Sequence, residues 1–126
     1  MKRLMLVTFA ALAVVLLPLR AAAQQPMHAD SPKVTISVSE DLTVGTTVLK
    51  PGDYRFQCKT FDGKTFLIIS SVETGKEITR VACVREMLDG KVTDSQYRAL
   101  RDASGKRVLT HVRIKGETAE HKIVVN

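Results

Sequence analysis

Seven glycines stand at positions 45, 52, 63, 75, 90, 105 and 116, at intervals of 7 to 15 residues. The segments between them are short and alternate apolar with polar residues. No stretch after residue 23 shows convincing helical periodicity. The chain fits short strands joined by tight turns, which is how a small antiparallel sandwich or barrel reads in sequence. The glycines space hairpins and do not mark a residue pattern that defines a true repeat.

The first alternating segment is Lys33 to Ser39, with Val34, Ile36 and Val38 on one face and Lys33, Thr35, Ser37 and Ser39 on the other. That pattern predicts a half-buried strand. Leu42 to Leu49 predicts a second, with Gly45 as a bulge or tight bend. Pro51-Gly52 then predicts a type II turn, because proline presets the first corner and glycine accepts positive φ at the next. The segment beyond it places Tyr54, Phe56 and Cys58 on one face. Asp62-Gly63 is the sharpest hairpin signal, and a two-residue loop there sets Phe61 against Lys64, Cys58 against Leu67 and Phe56 against Ile69. The strand Thr65 to Val72 carries Leu67 and Ile69 on one face and Phe66 and Ile68 on the other. It is expected to be central, with the C-terminal strands folded over Phe66 and Ile68; the alternative is that these two side chains form part of a partner surface. Thr74-Gly75, Ser104-Gly105 and Gly116-Glu117 mark the later turns, and Met87 to Thr93 is the longest connection. The fold expected is an all-β domain of seven to eight strands, a small antiparallel β-sandwich or open β-barrel. Its core should draw on Val34, Ile36, Val38, Tyr54, Phe56, Leu67, Ile69, Val108, Val112 and Ile114.

Residues 1–23 read as an address. Met1-Lys2-Arg3 is basic, Leu4 to Leu19 is mostly apolar, and Ala21-Ala22-Ala23 supplies a small-residue cleavage pattern. Pro18 and Arg20 close an apolar run that is short for a membrane span of about 20 residues. Residues 24–32 form a polar, proline-bearing lead-in that is expected to be flexible, and 33–126 a single domain. The chain of 126 residues carries a net charge of +6, and losing Lys2, Arg3 and Arg20 with the leader lowers it to +3. A mildly basic exported chain, periplasmic or secreted, is the expectation. Strong polyanion binding is not.

The leader, the early strand and Leu49-Lys50-Pro51-Gly52-Asp53-Tyr54-Arg55-Phe56 together resemble a loose group of small exported bacterial β-proteins, largely uncharacterised. These share a leucine, any, proline or alanine, glycine, any, tyrosine, arginine turn. The resemblance implies an all-β envelope domain and carries over no site residues.

Chemistry-bearing residues are few. Cys58 and Cys83 would sit in a compartment where disulfides form. In a meander, however, one strand separates them, so their backbones lie ~9.5 Å apart at a spacing of ~4.8 Å. A disulfide needs Cα atoms within ~7 Å. A bond would require the sheet to fold over itself or the strand order to change, and the alternative is two buried thiols acting as small hydrophobes. A two-residue loop at Thr74-Gly75 even points the cysteines to opposite faces, whereas a three-residue loop restores the same face but not the distance. Among the histidines, His28 lies in the lead-in. The register set by Gly116-Glu117 pairs Val112 with His121 and Arg113 with Glu120, which sends His111 and His121 to opposite faces and denies them a shared metal.

No nucleophile elbow, phosphate loop or aromatic-interleaved nucleic-acid motif is present. Arg98, Arg101, Lys106, Arg107, Arg113, Lys115 and Lys122 read as the solvated face of a sheet, with a patch for an acidic partner as the alternative. No catalytic, cofactor-binding or metal-binding residues are therefore expected, and no cofactor. The expected function is a non-catalytic envelope module that binds a protein or surface polymer, with no nucleic-acid partner and no membrane span in the mature chain. The alternatives are a small-molecule carrier using a barrel interior and, last, a hydrolase assembled from dispersed residues. Mass measurement on the exported protein should find Gln24 at its N-terminus; an intact Met1 in a membrane fraction would overturn the leader reading.

Overall fold

A computed structural model describes residues 30–125, so the expected leader, its cleavage site and His28 lie outside the described residues. Nine strands form one continuous sheet: β1 (Val34–Val38), β2 (Leu42–Val44), β3 (Thr47–Leu49), β4 (Gly52–Phe61), β5 (Lys64–Ser71), β6 (Glu77–Met87), β7 (Gln96–Arg101), β8 (Arg107–Arg113) and β9 (Ala119–Ile123). No helix occurs among the described residues, and none is long and apolar enough to cross a membrane. The strand order is β1-β4-β5-β6-β9-β8-β2-β3, with β7 on the other edge of β8. The sheet does not close, so the barrel alternative gives way to a sandwich-like all-β fold.

The ninth strand arises at Gly45, whose φ of +61° makes the expected bend a full hairpin, with Val44 paired to Thr47. The sheet is mixed because β2 meets β8 in parallel, Thr43 against Val108. Pro51-Gly52 departs from the type II expectation. Gly52 has φ +156°, far from the ~+80° of that corner, and already pairs with Val38 as the first residue of β4. Asp62-Gly63 behaves as read: both have positive φ (47° and 76°), as a type I′ loop demands, and Cys58 faces Leu67 while Phe56 faces Ile69.

β6 belongs to both halves of the sheet. Its first part pairs with β5 and its second, Cys83 to Met87, pairs with β9. The sheet doubles back there, and the inward side chains of both halves meet in one core built on Phe56, Leu67, Ile69, Leu109, Val112 and Ile114 among others. Val34 and Tyr54 pack half-buried against it. Val108 does not join. Arg98 pairs with His111 but Ala99 with Leu109, so Thr110 is an extra residue that reverses the alternation and turns Leu109 inward in place of Val108.

A second correction concerns the strand that is apolar on both faces. The C-terminal strands cover Leu67 and Ile69, whereas Phe66 and Ile68 lie outside that cluster, with Ile68 buried nonetheless. Phe66 stands between Lys59 and Ala82, and Ile68 between Gln57 and Arg80. Phe66 is half-buried, with the Phe61 ring 6.1 Å away.

The Asp62-Gly63 loop fixes the β4–β5 register, and nothing lies within 4 Å of the place a Cβ on Gly63 would occupy. Gly63→Ala should therefore cost about 1 kcal/mol in urea unfolding, from backbone strain alone. Gly90→Ala, at a glycine with the same open surroundings and no positive φ, should be near neutral. Equal costs for the two would mean that the loop conformation is wrong.

Candidate functional site: a buried thiol and imidazole centre

Three strands deliver one residue each to the inner side of the fold where the sheet doubles back. Cys58 comes from β4, Cys83 from β6 and His121 from β9. All three are buried, at 4%, 6% and 1% exposure, and their Sγ, Sγ and ring-nitrogen atoms lie within 4.8 Å of one another.

A register shift places Cys83 there. Ser70 pairs with Glu77, but Ile69 pairs with Thr79, so one residue of β6 is skipped at the start of the ladder. Leu67 therefore faces Val81, and the alternation brings Cys83 inward. A tight two-residue loop would have turned it outward. His121 arrives as the β8–β9 register predicts, opposite Val112, with Arg113 opposite Glu120. His111 falls on the other side, opposite Lys122, and takes no part.

The polar shell is built around the imidazole. His121 Nδ1 lies 3.9 Å from Cys83 Sγ, and its Nε2 lies 3.3 and 3.4 Å from the two carboxylate oxygens of Glu117. Glu117 sits in the β8–β9 turn, which the β6–β7 connection braces: Val92 N–H donates to Glu117 O and Gly116 N–H to Val92 O. Arg85, opposite His121 on β6, brings its guanidinium to 3.8 Å from Glu117. Behind Cys58, Ser31 is buried. Its Oγ accepts from Cys58 N–H at 2.8 Å, and its own N–H donates to Cys58 O at 2.9 Å. The end of the lead-in is thus docked onto β4 just before the domain boundary expected at Lys33.

These contacts displace all three titrations. The hydrogen bond from Cys58, followed by that from His121, draws the Cys83 thiol down to about 6 against the opposing effect of burial. The same contact with Cys83, together with burial, pushes the Cys58 thiol far up. Burial alone would lower His121, but its hydrogen bonds to Cys83 and Glu117 outweigh that and raise it to about 9. The contacts thus favour loss of a proton on the Cys83 side of the thiol pair and its retention on His121.

A thiolate, an imidazole and a carboxylate in series match the roles of nucleophile, base and orienting group. The hollow beside Cys58, His121 and Glu117, edged also by Ser31, Thr60 and Thr65, measures about 10 Å³, room for about one water. A wider surface hollow of about 350 Å³ is edged by Gly63, Thr65, Cys83 and Val84.

Of the two alternatives for Cys58 and Cys83, the structure holds them as buried thiols. Both cysteines are free, and β4, β5 and β6 are consecutive in the sheet, so one strand separates the two backbones. The basic residues of the last hairpins are largely engaged with carboxylates. Arg98 and Arg113 reach Glu120 at 2.6 and 3.3 Å, and Arg101 and Arg107 reach Glu40 at 3.2 and 3.3 Å. These pairs engage four of the seven basic residues, and Glu120 is itself buried. Sequence reasoning weighed the histidines against each other and the cysteines against each other, and missed their union. The usable signal was the β8–β9 register, which already sent His121 to the apolar face.

Comparison of the chain with protein-family models, with curated proteins and with solved structures finds no match.

In protein kept reduced and freed of metal by a chelator, His121 should titrate near pH 9, followed by NMR of its ring resonances. Glu117 stabilises the protonated ring, so Glu117→Gln should move that midpoint down. A midpoint near the ordinary 6.5 in both proteins would remove the ion-pair description.

Proposed function

We propose that the protein is a non-catalytic exported module that acts by binding a protein partner across the outer face of β4, β5 and β6. The observation that carries this reading is a filled interior combined with an apolar row on the outside. Phe61 is 40% exposed, Val84 53% and Val124 41%, and the half-buried Phe66 and the exposed Ala82, paired across β5 and β6, belong to the same outer face. Val124 N–H donates to Ala82 O, which holds the C-terminal end of that row against β6. Leaving such side chains in water forgoes ~1.5–3 kcal/mol for each large one, so a surface that accepts them gains affinity.

The rim of the row gives the partner its character. Lys59 flanks Phe66, and the Arg80 guanidinium, already paired with Glu77, lies 5.2 Å above the Phe61 ring. An apolar protein segment with an acidic group toward Lys59 complements this surface better than an uncharged polymer does. A small-molecule carrier needs an internal space of ~300–1,000 Å³. The hollow at the thiol centre falls short of that by more than an order of magnitude, and the hollow of about 340 Å³ beside the 88–96 connection opens at the surface. The turn that resembles those of small exported envelope proteins agrees with a module of this kind.

The test is crosslinking in intact cells, comparing the protein with a Phe61→Ser, Val84→Ser double variant. Both residues are substantially exposed, so unfolding free energy should change by no more than about 1 kcal/mol. Recovery of the crosslinked protein should fall at least tenfold. Unchanged capture by a folded double variant would move the interface elsewhere, and capture of glycan alone would replace the protein partner with a polymer.

A further inference from the structure

We propose that Cys58 Sγ, Cys83 Sγ and His121 Nδ1 form a three-ligand site for a thiophilic d¹⁰ cation, Zn(II) or Cu(I), with Glu117 as the residue that positions the imidazole. The site lies on the inner side of the sheet, on the opposite side of β6 from the outer row, and does not depend on the partner reading.

The spacing of the ligand atoms fits a bridging ion. Both cysteines are free, and their sulfurs lie within 4.8 Å of each other and of the imidazole. A tetrahedral ion with Zn–S bonds of ~2.3 Å and a Zn–N bond of ~2.0–2.1 Å holds its ligand atoms ~3.5–3.8 Å apart. The 3.9 Å between Cys83 Sγ and His121 Nδ1, and the 4.8 Å limit on all three atoms, are within a small side-chain adjustment of that figure.

The second observation is the orientation of the ring. A histidine ligand nearly always gives its other ring nitrogen to a carboxylate or carbonyl, which fixes the tautomer and raises the basicity of the ligating nitrogen. Here Nε2 faces both oxygens of Glu117 and Nδ1 faces the thiols. With Nε2–H donated to Glu117, the neutral ring presents the Nδ1 lone pair to the point between the two sulfurs. Two thiols serving only as small hydrophobes have no need of an aimed imidazole beside them.

Charge and space define the class of ion. Thiolates select soft cations such as Cu(I) and Zn(II) over Mg(II) or Ca(II). Two thiolates and a neutral imidazole balance a dication, while Arg85 and Glu117 balance each other alongside. A divalent ion is thus favoured by charge. The hollow of about 10 Å³ leaves room for one water as a fourth ligand, and a three-coordinate ion needs none. These two considerations separate zinc from copper, and the experiment has an arm for each.

The full chain is purified with a thiol-free reductant, stripped with chelator and titrated with Co(II) as the spectroscopic stand-in for Zn(II). In parallel it is titrated with Cu(I) against a chromophoric Cu(I) chelator. One equivalent should bind. A thiolate-to-cobalt charge-transfer band that Zn(II) abolishes assigns a zinc site, and Cu(I) retention without a cobalt band assigns a copper site. Cys58→Ser and Cys83→Ser should each weaken binding at least 100-fold. Glu117→Gln should weaken it about 10–100-fold while keeping the charge-transfer band, and His111→Ala should change nothing. Should a cysteine variant fail to fold, the wild-type protein gives the same reading: the bound ion must slow alkylation of both thiols at least tenfold in moderate urea. Failure of the reduced, folded protein to bind either cation at micromolar concentration overturns the proposal. So does binding that survives loss of both sulfurs in a folded variant.

Discussion

The double pairing of β6 is the constraint on which the rest of the structure depends. Its first residues pair with β5 and its last five with β9. One strand therefore carries the hydrogen-bond ladder around the corner between the two halves of the sheet, without a break that would leave backbone groups unpaired in the interior. The apolar stripes of β4 and β5 then face those of β8 and β9. Were β6 to end at Ala82, Leu67 and Ile69 would keep their pairing but lose their cover. Each such side chain is worth ~1.5–3 kcal/mol of burial, and that gain closes the sheet onto itself.

The parts of this fold that were legible in the sequence are those in which turn chemistry and alternation agree. Asp62-Gly63 permits one loop, and that loop puts Phe56 and Cys58 on the same side as Ile69 and Leu67. Gly116-Glu117 likewise sets Arg113 against Glu120. Two local signals that select the same register leave little freedom. The errors lie at extra residues within ladders. Neither the skipped residue of β6 opposite Ile69 and Ser70 nor Thr110 in β8 has a glycine or proline to announce it. Both respond to packing between distant strands. Because side-chain direction has a period of two, one unannounced residue exchanges the inside for the outside. At Thr110 this replaced Val108 by Leu109 in the core, and in β6 it decided on which side of the sheet Cys83 stands.

The candidate site was illegible for the same reason, compounded by topology. The direction of Cys58 follows from the Asp62-Gly63 loop and that of His121 from the β8–β9 turn, and both were readable. What joins them is the fold of the sheet along β6, which brings β9 beside the second half of a strand whose first half is two places from β4. No local pattern specifies that crossing. The lead-in posed a related difficulty. Ser31 belongs to a polar, proline-bearing stretch, yet it exchanges hydrogen bonds with Cys58 through both its backbone N–H and its hydroxyl. A serine that satisfies a strand's edge next to a buried thiol is indistinguishable in sequence from one in a loose tail.

The corner also explains why polar chemistry sits inside an otherwise apolar core. On the concave side of a bending sheet the side-chain rows converge, so residues two strands apart along the backbone can meet at their tips. Large aliphatic groups would collide there. The positions around Cys58 and Cys83 hold Ser31, Thr60 and Thr65, which are small and leave a hollow of one-atom scale. A buried imidazole in such a place is costly unless both its nitrogens are partnered. Glu117 serves one nitrogen and Cys83 the other, and Arg85 partly offsets the carboxylate's charge from the neighbouring strand. Adjacent residues of β6 then divide two surfaces between them. Cys83 faces this centre, and Val84 faces the exposed outer row. The thiol centre and the exposed outer row are therefore backed onto the same strand while sharing no side chain.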